Sequence, residues 1–392
     1  MRRFLFGCKA TFLSSLCVLL ACGGETTSPP TTGTLRFTVT TTGTDIPPDG
    51  YSIAVDGGAP QAVPANGTLT WIGAGGSHTL AMTGLAFNCD FTTAPASATI
   101  TLGQVTSVAV EATCSPFLRN TVVYLSDAYG FSEVMVMRPD GSRFRRLTTD
   151  QAVYASPAVS PDGQSIAVAS YVGGGWKGIY LLDRFGQGRA KLVGNSSFDG
   201  EPAWSPDGSR IAFRSTLPGP YGDYGRIFVI NRDGTGLHQL TPETTDYTYD
   251  ASPSWSPDGT QIAYSHNGAL YVINADGSAP TSLGINGMYP AWSPDGAKIA
   301  YYWYNAANTV THIFVADRNG ANVRELTTAE LQDQYPHWSP DGRQITFHRV
   351  ENATNPPIMH IYKMSADGSG VARIDSMTAN DFEATWSPLH QP

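Results

Sequence analysis

The chain has 392 residues and an acidic balance, with 33 acidic against 24 basic residues and a formal net charge of −9. Removing residues 1–21, which hold basic residues and no acidic one, makes the remainder more acidic still. This balance argues against nucleic acid as a ligand, because binding nucleic acid requires clustered lysine and arginine. The 41 glycines, 27 prolines and 41% apolar residues are typical of an all-β protein with many turns.

Residues 1–21 have the pattern of an export signal. Arg2 and Arg3 precede an apolar stretch that ends in Leu19-Leu20-Ala21-Cys22. This Leu-x-Ala-Cys pattern resembles the lipobox of bacterial lipoproteins, and the resemblance implies cleavage before Cys22 and acylation of that cysteine. An ordinary signal peptide or a membrane-spanning helix is the alternative, but the stretch is short and lacks a stop-transfer flank.

Residues 22–33 are rich in glycine, threonine and proline and predict a flexible tether. Gly23 stands after the cysteine, where an aspartate retains many lipoproteins at the inner membrane. We therefore expect the protein to be anchored in the outer membrane of the cell envelope, facing the periplasm.

Cys89 and Cys114 are the two cysteines left after Cys8 and Cys17 leave with the signal and Cys22 is acylated. An even pair in an oxidising compartment predicts a disulfide. Closing a loop of about 25 residues stabilises a fold by about 3 kcal/mol in the chain-entropy estimate. Two separate buried thiols are the alternative.

Residues 34–115 contain six short runs with a period of two, rich in threonine and valine, and turn residues separate them. Leu35–Val39, Tyr51–Val55 and Val105–Val110 are examples, and Asp56-Gly57-Gly58 is one of the turns. Six short strands in this length predict a small β-sandwich. In texture it resembles the immunoglobulin-like and PEGA-like modules of envelope proteins, which implies a spacer between membrane and main domain.

A repeated unit, Trp-Ser-Pro-Asp-Gly or a close variant, dominates residues 120–392. Its copies begin at Val159, Trp204, Trp255, Trp292, Trp338 and Trp386. An apolar strand follows each complete copy, and a second strand ends in an Asp-Gly or Asn-Gly turn, which favours hairpins. Four strands in about 45 residues correspond to one propeller blade.

The ends of the repeat region predict how the ring closes. The region opens at Val122–Leu125 with a second strand that has no first strand before it. It ends at Trp386-Ser387-Pro388 with a first strand that has nothing after it. The two complete each other, so the sequence predicts a six-bladed β-propeller without open sheet edges.

With these repeats, residues 120–392 resemble the TolB-type, WD-like propellers, whose signature is the Trp-Ser-Pro-Asp-Gly unit. We expect this main body to be a propeller that binds a partner rather than an enzyme. TolB itself has an α/β domain ahead of its propeller, where this chain has a β module. The cellular partners of TolB are therefore not carried over to this chain.

The sequence offers little for catalysis. It has no Gly-x-Ser-x-Gly elbow, no His-Glu-x-x-His and no phosphate-binding glycine loop. His337, His348 and His360 fall in the last repeat, and propeller lyases that act on pectic fragments use histidine-rich metal sites. A metal-dependent lyase is thus the enzymatic alternative, although we expect partly exposed histidines, no catalytic residues and no bound metal there.

A ring of acids is expected where the channel opens on the face of the propeller that carries the long loops. When the six innermost strands are aligned on the tryptophan position, the positions five and three residues before it hold six carboxylates. Residues two apart on a strand face the same way. The six are Asp199, Glu201, Asp250, Asp333, Asp381 and Glu383. They are expected to bind a hard cation such as Ca²⁺ or a basic peptide, or else to cap backbone amides.

The long loops are also aromatic, and loops on a rigid scaffold often bind partners. The candidate contact residues are Tyr171, Trp176, Tyr224, Tyr249, Tyr289, Trp303 and Tyr335. We expect a monomeric envelope scaffold that binds a protein or peptide and needs no cofactor. A periplasmic protein that binds or cleaves glycans is the alternative.

Overall fold

The computed structural model describes residues 28–171, 176–194, 198–219, 222–242, 248–352, 357–376 and 378–389. Of residues 171, 176, 177, 217–219, 222–224 and 352 it describes the backbone alone. Cys22 and the export signal lie outside the described residues. The described part folds into 32 strands. Within it, no helix has the length and apolarity needed to span a membrane.

The first eight strands form a β-sandwich of two four-stranded sheets, ordered β4-β1-β8-β6 and β3-β2-β5-β7. They are β1 (Gly33–Gly43), β2 (Tyr51–Val55), β3 (Gln61–Val63), β4 (Gly67–Gly73), β5 (Gly76–Thr83), β6 (Cys89–Thr93), β7 (Ser97–Ile100) and β8 (Val105–Cys114). Alternate residues of β1, such as Leu35 and Phe37, are buried between the sheets. The predicted sandwich is confirmed, and β3 and β6 are strands that the alternation pattern missed.

The other 24 strands form six four-stranded blades. They are β9 (Val122–Ser126), β10 (Glu133–Met137), β11 (Arg145–Arg146), β12 (Val153–Val159), β13 (Ser165–Tyr171), β14 (Trp176–Asp183), β15 (Ala190–Val193), β16 (Phe198–Trp204), β17 (Arg210–Gly219), β18 (Gly222–Asn231), β19 (His238–Gln239), β20 (Asp250–Trp255), β21 (Gln261–His266), β22 (Ala269–Asn274), β23 (Thr281–Asn286), β24 (Met288–Trp292), β25 (Lys298–Tyr304), β26 (Thr311–Asp317), β27 (Arg324–Glu325), β28 (Gln332–Trp338), β29 (Gln344–Asn352), β30 (Ile358–Ser365), β31 (Ala372–Arg373) and β32 (Asp381–Trp386).

The last strand closes the ring, as the sequence predicts. Blade 1 has the order β11-β10-β9-β32, and β32 pairs antiparallel with β9 in the register Asp381↔Ser126 and Trp386↔Val122. Blades 2 to 6 follow in chain order and start with the inner strands β12, β16, β20, β24 and β28. The turns that join first to second strands share one end of the propeller, here the turn face, and the long loops share the other, the loop face.

The repeated tryptophans fill the spaces between blades. Trp204 of blade 3 packs with Ala167 and Ile179 of blade 2. Its indole Nε1 donates to the carbonyl of Ala158 of blade 2 at 3.1 Å. Trp292 of blade 5 packs in the same way on blade 4 and is only 7% exposed. Each ring therefore joins its own blade to the preceding one, and much of the stabilising apolar burial lies at these junctions.

The Ser-Pro-Asp-Gly turns are held by a repeated set of hydrogen bonds. Ser205 Oγ donates to Asp207 Oδ1 at 2.5 Å and accepts from the backbone N–H of Arg210 at 2.9 Å. The hydrogen bond from Ser205, followed by those from the backbone and side chain of Ser209, lowers the pKa of Asp207 to about 2. Gly208 has φ of +68°, where a side chain is disfavoured. The turn acids are thus used by the fold.

The sandwich is fixed to the turn side of blades 1 and 2. Cys89 and Cys114, directly opposite each other on β6 and β8, form the predicted disulfide, which is confirmed. Beyond β8, the backbone N–H of Phe117 donates to Asp45 Oδ2 at 2.8 Å. Asp45 also forms an ion pair with Arg184 of blade 2.

A second polar contact and a shared apolar core complete this junction. Arg138 of blade 1 pairs with Asp90 of the sandwich at 2.9 Å. The Phe87 ring of the sandwich lies 5.6 Å from the Phe117 ring between centroids, within a core that continues into blade 1. The contacts place the sandwich at the turn side of the propeller, so it leaves the loop face uncovered.

Replacing Trp292 with alanine is expected to lower the free energy of unfolding by about 3–5 kcal/mol, because it empties a wedge between two blades. Urea denaturation followed by tryptophan fluorescence and circular dichroism measures the loss. Trp71→Ala is the matched control, since it removes the same side chain from a half-buried position in the sandwich, away from the blades. An equal loss for both variants would contradict the wedge role.

Candidate functional site: the central channel

The six inner strands share one irregularity, a β-bulge three residues before the tryptophan position. In blade 3, Gly200 pairs with Arg214 and Ala203 with Ala212, so two residues oppose one. The first bulge residue has positive φ, between +49° and +56°, in all six blades. These residues are Ser156, Glu201, Ser252, Tyr289, Tyr335 and Glu383. Each such non-glycine conformation costs about 1–3 kcal/mol and is typical of functional positions.

The bulge residues line the central channel. A cavity of about 250 Å³ is bounded by all six inner strands. Its described lining runs from Glu201, Tyr289, Tyr335 and Glu383 past the bulge prolines to Pro161 at the turn face. Because the extra residue resets the strand alternation, the bulge positions and the residues two before them do not face the same way.

The expected ring of six acids is therefore wrong in its geometry, since Glu201 and Glu383 reach the channel and the other four are buried within the blades. Asp333 forms a two-point ion pair with Arg349 at 2.6 and 2.8 Å. Asp250 pairs with His266 at 2.7 Å. Asp199 and Asp381 are 2% and 0% exposed at the same position of their own blades.

Glu201 is held by donors from three blades. Its Oε1 accepts from Arg214 Nη1 and from the Tyr289 hydroxyl, each at 3.1 Å. Its Oε2 accepts from the backbone N–H of Ser252 at 2.6 Å. Arg214 lies over the Tyr249 ring, 4.4 Å from its centroid. The negative charge of Glu201 is thus matched inside the protein.

Glu383 occupies the equivalent position of blade 1 with fewer partners. Its Oε2 accepts from the backbone N–H of Ser156 at 2.5 Å. Among the described residues, no lysine, arginine or histidine forms an ion pair with it. Burial, followed by repulsion from Glu201, raises the pKa of Glu383 to about 7, against the opposing hydrogen bond from Ser156. This carboxyl is the channel group that a bound cation would stabilise most.

Tyrosines form the wall between the two glutamates. The Tyr335 hydroxyl donates to the Tyr289 hydroxyl at 3.2 Å, and the two ring centroids lie 4.0 Å apart. Tyr302 stacks on Tyr289 at 5.8 Å. Burial raises the pKa of Tyr289 and Tyr335 well above the ordinary range, so both remain neutral donors at physiological pH.

The aromatic candidates separate into groups. Tyr289 and Tyr335 line the channel, whereas Tyr249 is 42% exposed near the loop face. Trp303 packs edge-on against Tyr304, with 5.5 Å between centroids. The side chains of Tyr171, Trp176 and Tyr224 lie outside the described part of the structure.

The three histidines of blade 6 are not brought to one site. His348 pairs across the sheet with Ile361, and His360 pairs with Arg349, so the two point to opposite sides of the blade. His348 stacks on Tyr335 at 4.8 Å. His337 lines the channel, and burial lowers its pKa to about 4.

A signal for the bulge was present in the sequence. Pro157, Pro202, Pro253, Pro290 and Pro336 each follow a bulge residue inside an inner strand. Proline lacks the N–H that a strand ladder needs, so within sheets it marks an edge or a bulge. Reading these prolines as bulges would have set Glu201 apart from the buried acids, and aligning the repeats would have done the same for Glu383, which Ala384 follows.

Comparison with known proteins agrees with the fold. Residues 117–390 match the family model described as the TolB beta propeller domain. A TolB homolog of Chlorobium luteolum is 30% identical over 147 residues, which cover 37% of this chain and 31% of that protein. One from Chlorobium chlorochromatii is 27% identical over 143 residues, covering 36% and 30%. The matched part of the chain thus spans about a third of these relatives' length.

Two solved structures share the architecture. TolB from Acinetobacter baumannii superimposes with a TM-score of 0.58 at 21% identity, covering 70% of this chain and 68% of that chain. A TolB from Agrobacterium tumefaciens gives 0.52 at 20% identity, covering 67% and 90%. At these identities the likeness shows the fold alone.

Glu383→Gln is expected to remove a pH-dependent loss of stability. The pKa of Glu383 is raised from 4.5 to about 7 in the folded protein. Below about pH 4.5, Glu383 is neutral in both the folded and the unfolded protein and costs no stability. As the pH rises to about 7, it ionises more readily in the unfolded chain, so the free energy of unfolding falls. The variant should gain stability over the wild type between pH 5 and 7.5 in urea denaturation. A difference in stability between the two proteins that stays constant from pH 5 to 7.5 would contradict it.

Proposed function

The chain belongs to the TolB β-propeller domain family, and from this premise we propose that it is a lipid-anchored binding protein of the cell envelope. Its channel and the loop face around it bind a basic segment of a protein or peptide. It acts as a scaffold and catalyses no reaction.

The observation that carries this proposal is the state of Glu383. It is a largely desolvated carboxyl in a channel, with a backbone N–H as a neighbour and no ion pair among the described residues. Glu201, at the equivalent position of blade 3, forms an ion pair with Arg214. A lysine or arginine of a partner would supply at Glu383 what Arg214 supplies at Glu201.

A basic side chain fits this channel better than Ca²⁺. Calcium takes six to eight oxygen ligands, ideally from several carboxylates. Here Glu201 is already engaged by Arg214, Tyr289 and Ser252, so Glu383 is the one carboxylate left to coordinate an ion. An ammonium group has three donors and needs only a few acceptors.

The sandwich suits the role of a spacer. Strand β1 has 11 residues and spans about 35 Å at 3.3 Å per residue. Its first residue adjoins the tether, and its end at Gly43 adjoins the propeller junction at Asp45. We propose that this holds the loop face away from the anchored end, at the outer membrane facing the periplasm.

A lysine-rich peptide should bind the wild-type protein in isothermal titration calorimetry, and the affinity should rise with pH through about 7, where Glu383 ionises. Glu383→Gln is expected to weaken binding at least tenfold at pH 8. A norleucine-substituted peptide controls for apolar contacts, and the variant Glu111→Gln controls for net charge. Equal affinity of wild type and Glu383→Gln would refute the proposed contact.

Two further titrations separate the alternatives. Binding of Ca²⁺ that Glu383→Gln abolishes, without peptide binding, would favour a metal ion in the channel. Binding to a glycan array that depends on Tyr249 and Trp303, again without peptide binding, would favour the glycan-binding alternative.

Cys22→Ala is expected to abolish acylation, so that the protein no longer fractionates with membranes. Mass spectrometry of the purified N-terminal fragment and partitioning into Triton X-114 measure this. Cys17→Ala, five residues earlier, is the control and should leave both properties unchanged. Unchanged partitioning of Cys22→Ala would contradict the lipid anchor.

A further inference from the structure

A cluster of buried polar side chains lies where the last blade meets the first, outside the channel. His360 stands on β30, Asp375 follows β31, and Asp381 begins β32. All three are 8% exposed or less. One ligand atom from each lies within 4.8 Å of the others. The closure of the ring therefore brings an imidazole and two carboxylates together.

Asp381 is the least satisfied member of this cluster. It is 0% exposed, and neither carboxylate oxygen has a hydrogen-bond partner within geometric limits in the described structure. Ser126 lies opposite it on β9, with its hydroxyl close to the carboxylate. Nδ1 of His360 lies 3.0 Å from Asp375 Oδ1 but at an angle unsuited to a hydrogen bond. Buried groups in this state call for a ligand, since burial without one is unfavourable.

Asp375 stands at a position where three other blades have a threonine. Its Oδ2 accepts from the backbone N–H of Ile361. At the equivalent point of blades 1, 3 and 5 a threonine hydroxyl does the same: Thr148 for Val134, Thr241 for Ile227 and Thr327 for Ile313. A neutral hydroxyl is thus sufficient for this bond, and blade 6 has a carboxylate in its place.

The hydrogen bonds made to Asp375 resemble those that hold a metal-binding carboxylate in place. Arg373 donates to Asp375 Oδ1 through Nε at 2.8 Å, and its Nη2 lies 2.7 Å from the same oxygen. Outer hydrogen bonds of this kind orient a carboxylate ligand. When both are ionised, Asp375 and Asp381 carry one negative charge more than Arg373 neutralises, and Glu351 Oε2 lies 3.8 Å from His360 Nε2. This balance favours a cation.

We propose that His360, Asp375 and Asp381 bind one divalent transition-metal ion, Zn²⁺ or Mn²⁺, which links blade 6 to blade 1. One imidazole and two carboxylates are a donor set that both ions accept, whereas Ca²⁺ prefers oxygen ligands alone. The ligands come from two blades, with His360 and Asp375 on blade 6 and Asp381 on the closing strand of blade 1. The ion therefore stabilises the ring at its seam, independently of what the channel binds.

The test is metal binding to the full-length protein after treatment with a chelator and its removal. Calorimetry with Zn²⁺ and with Mn²⁺ should show one equivalent for at least one of them, and that ion should raise the melting temperature. Asp381→Asn and Asp375→Thr should each weaken binding at least tenfold and lose the thermal shift. Asp375→Thr keeps the hydrogen bond seen in blades 1, 3 and 5, so it is expected to fold.

The double variant Glu201→Gln/Glu383→Gln is the matched control and should bind the ion as the wild type does. X-ray absorption at the edge of the bound metal should show one imidazole ligand, lost in His360→Gln. The absence of binding by the wild type up to millimolar metal would overturn the proposal. So would binding that survives Asp375→Thr and Asp381→Asn, or that only the channel double variant abolishes.

Discussion

The left-handed bulge residue of each inner strand is the constraint on which the interior of this propeller depends. It turns one side chain per blade toward the axis, and it offers the backbone N–H of that residue to its neighbour. Ser156 donates in this way to Glu383, and Ser252 donates to Glu201. At Ser156 and Ser252 the strained conformation is thus offset in part by a hydrogen bond that runs from one blade to the next.

The bulge also sorts the acids of the inner strands into two environments. Asp250 and Asp333, before the bulge, are buried and paired with His266 and Arg349 of their own blades. Glu201 and Glu383, at the bulge, share the channel. Glu201 has Arg214 as an ion-pair partner, whereas Glu383 has none among the described residues. Burial, followed by repulsion from Glu201, raises the pKa of Glu383. Because equivalent positions of the blades carry different partners, the channel has one position, at Glu383, that differs from the others and suits a ligand.

The junction between the two domains limits how the propeller can present this channel. Ion pairs at Asp45 and Asp90 and the continuous core around Phe117 hold the sandwich to the turn side of blades 1 and 2. The loop face, where Tyr249 is exposed, is left uncovered. A fixed spacer on one side and an open face on the other are compatible with a scaffold that meets its partner at the loop end.

The sequence by itself determined the architecture, because its signals are local and repeated. The Trp-Ser-Pro-Asp-Gly units gave the number of blades, the incomplete units at Val122 and Trp386 gave the closure, and the cysteine count gave the Cys89–Cys114 disulfide. Tertiary structure decided which side chains meet. A period-two pattern cannot show that one extra residue turns Glu383 toward the axis while Asp381 stays in the blade. Nor can it bring together His360, Asp375 and Asp381, because they become neighbours only when the last strand pairs with the first blade strand.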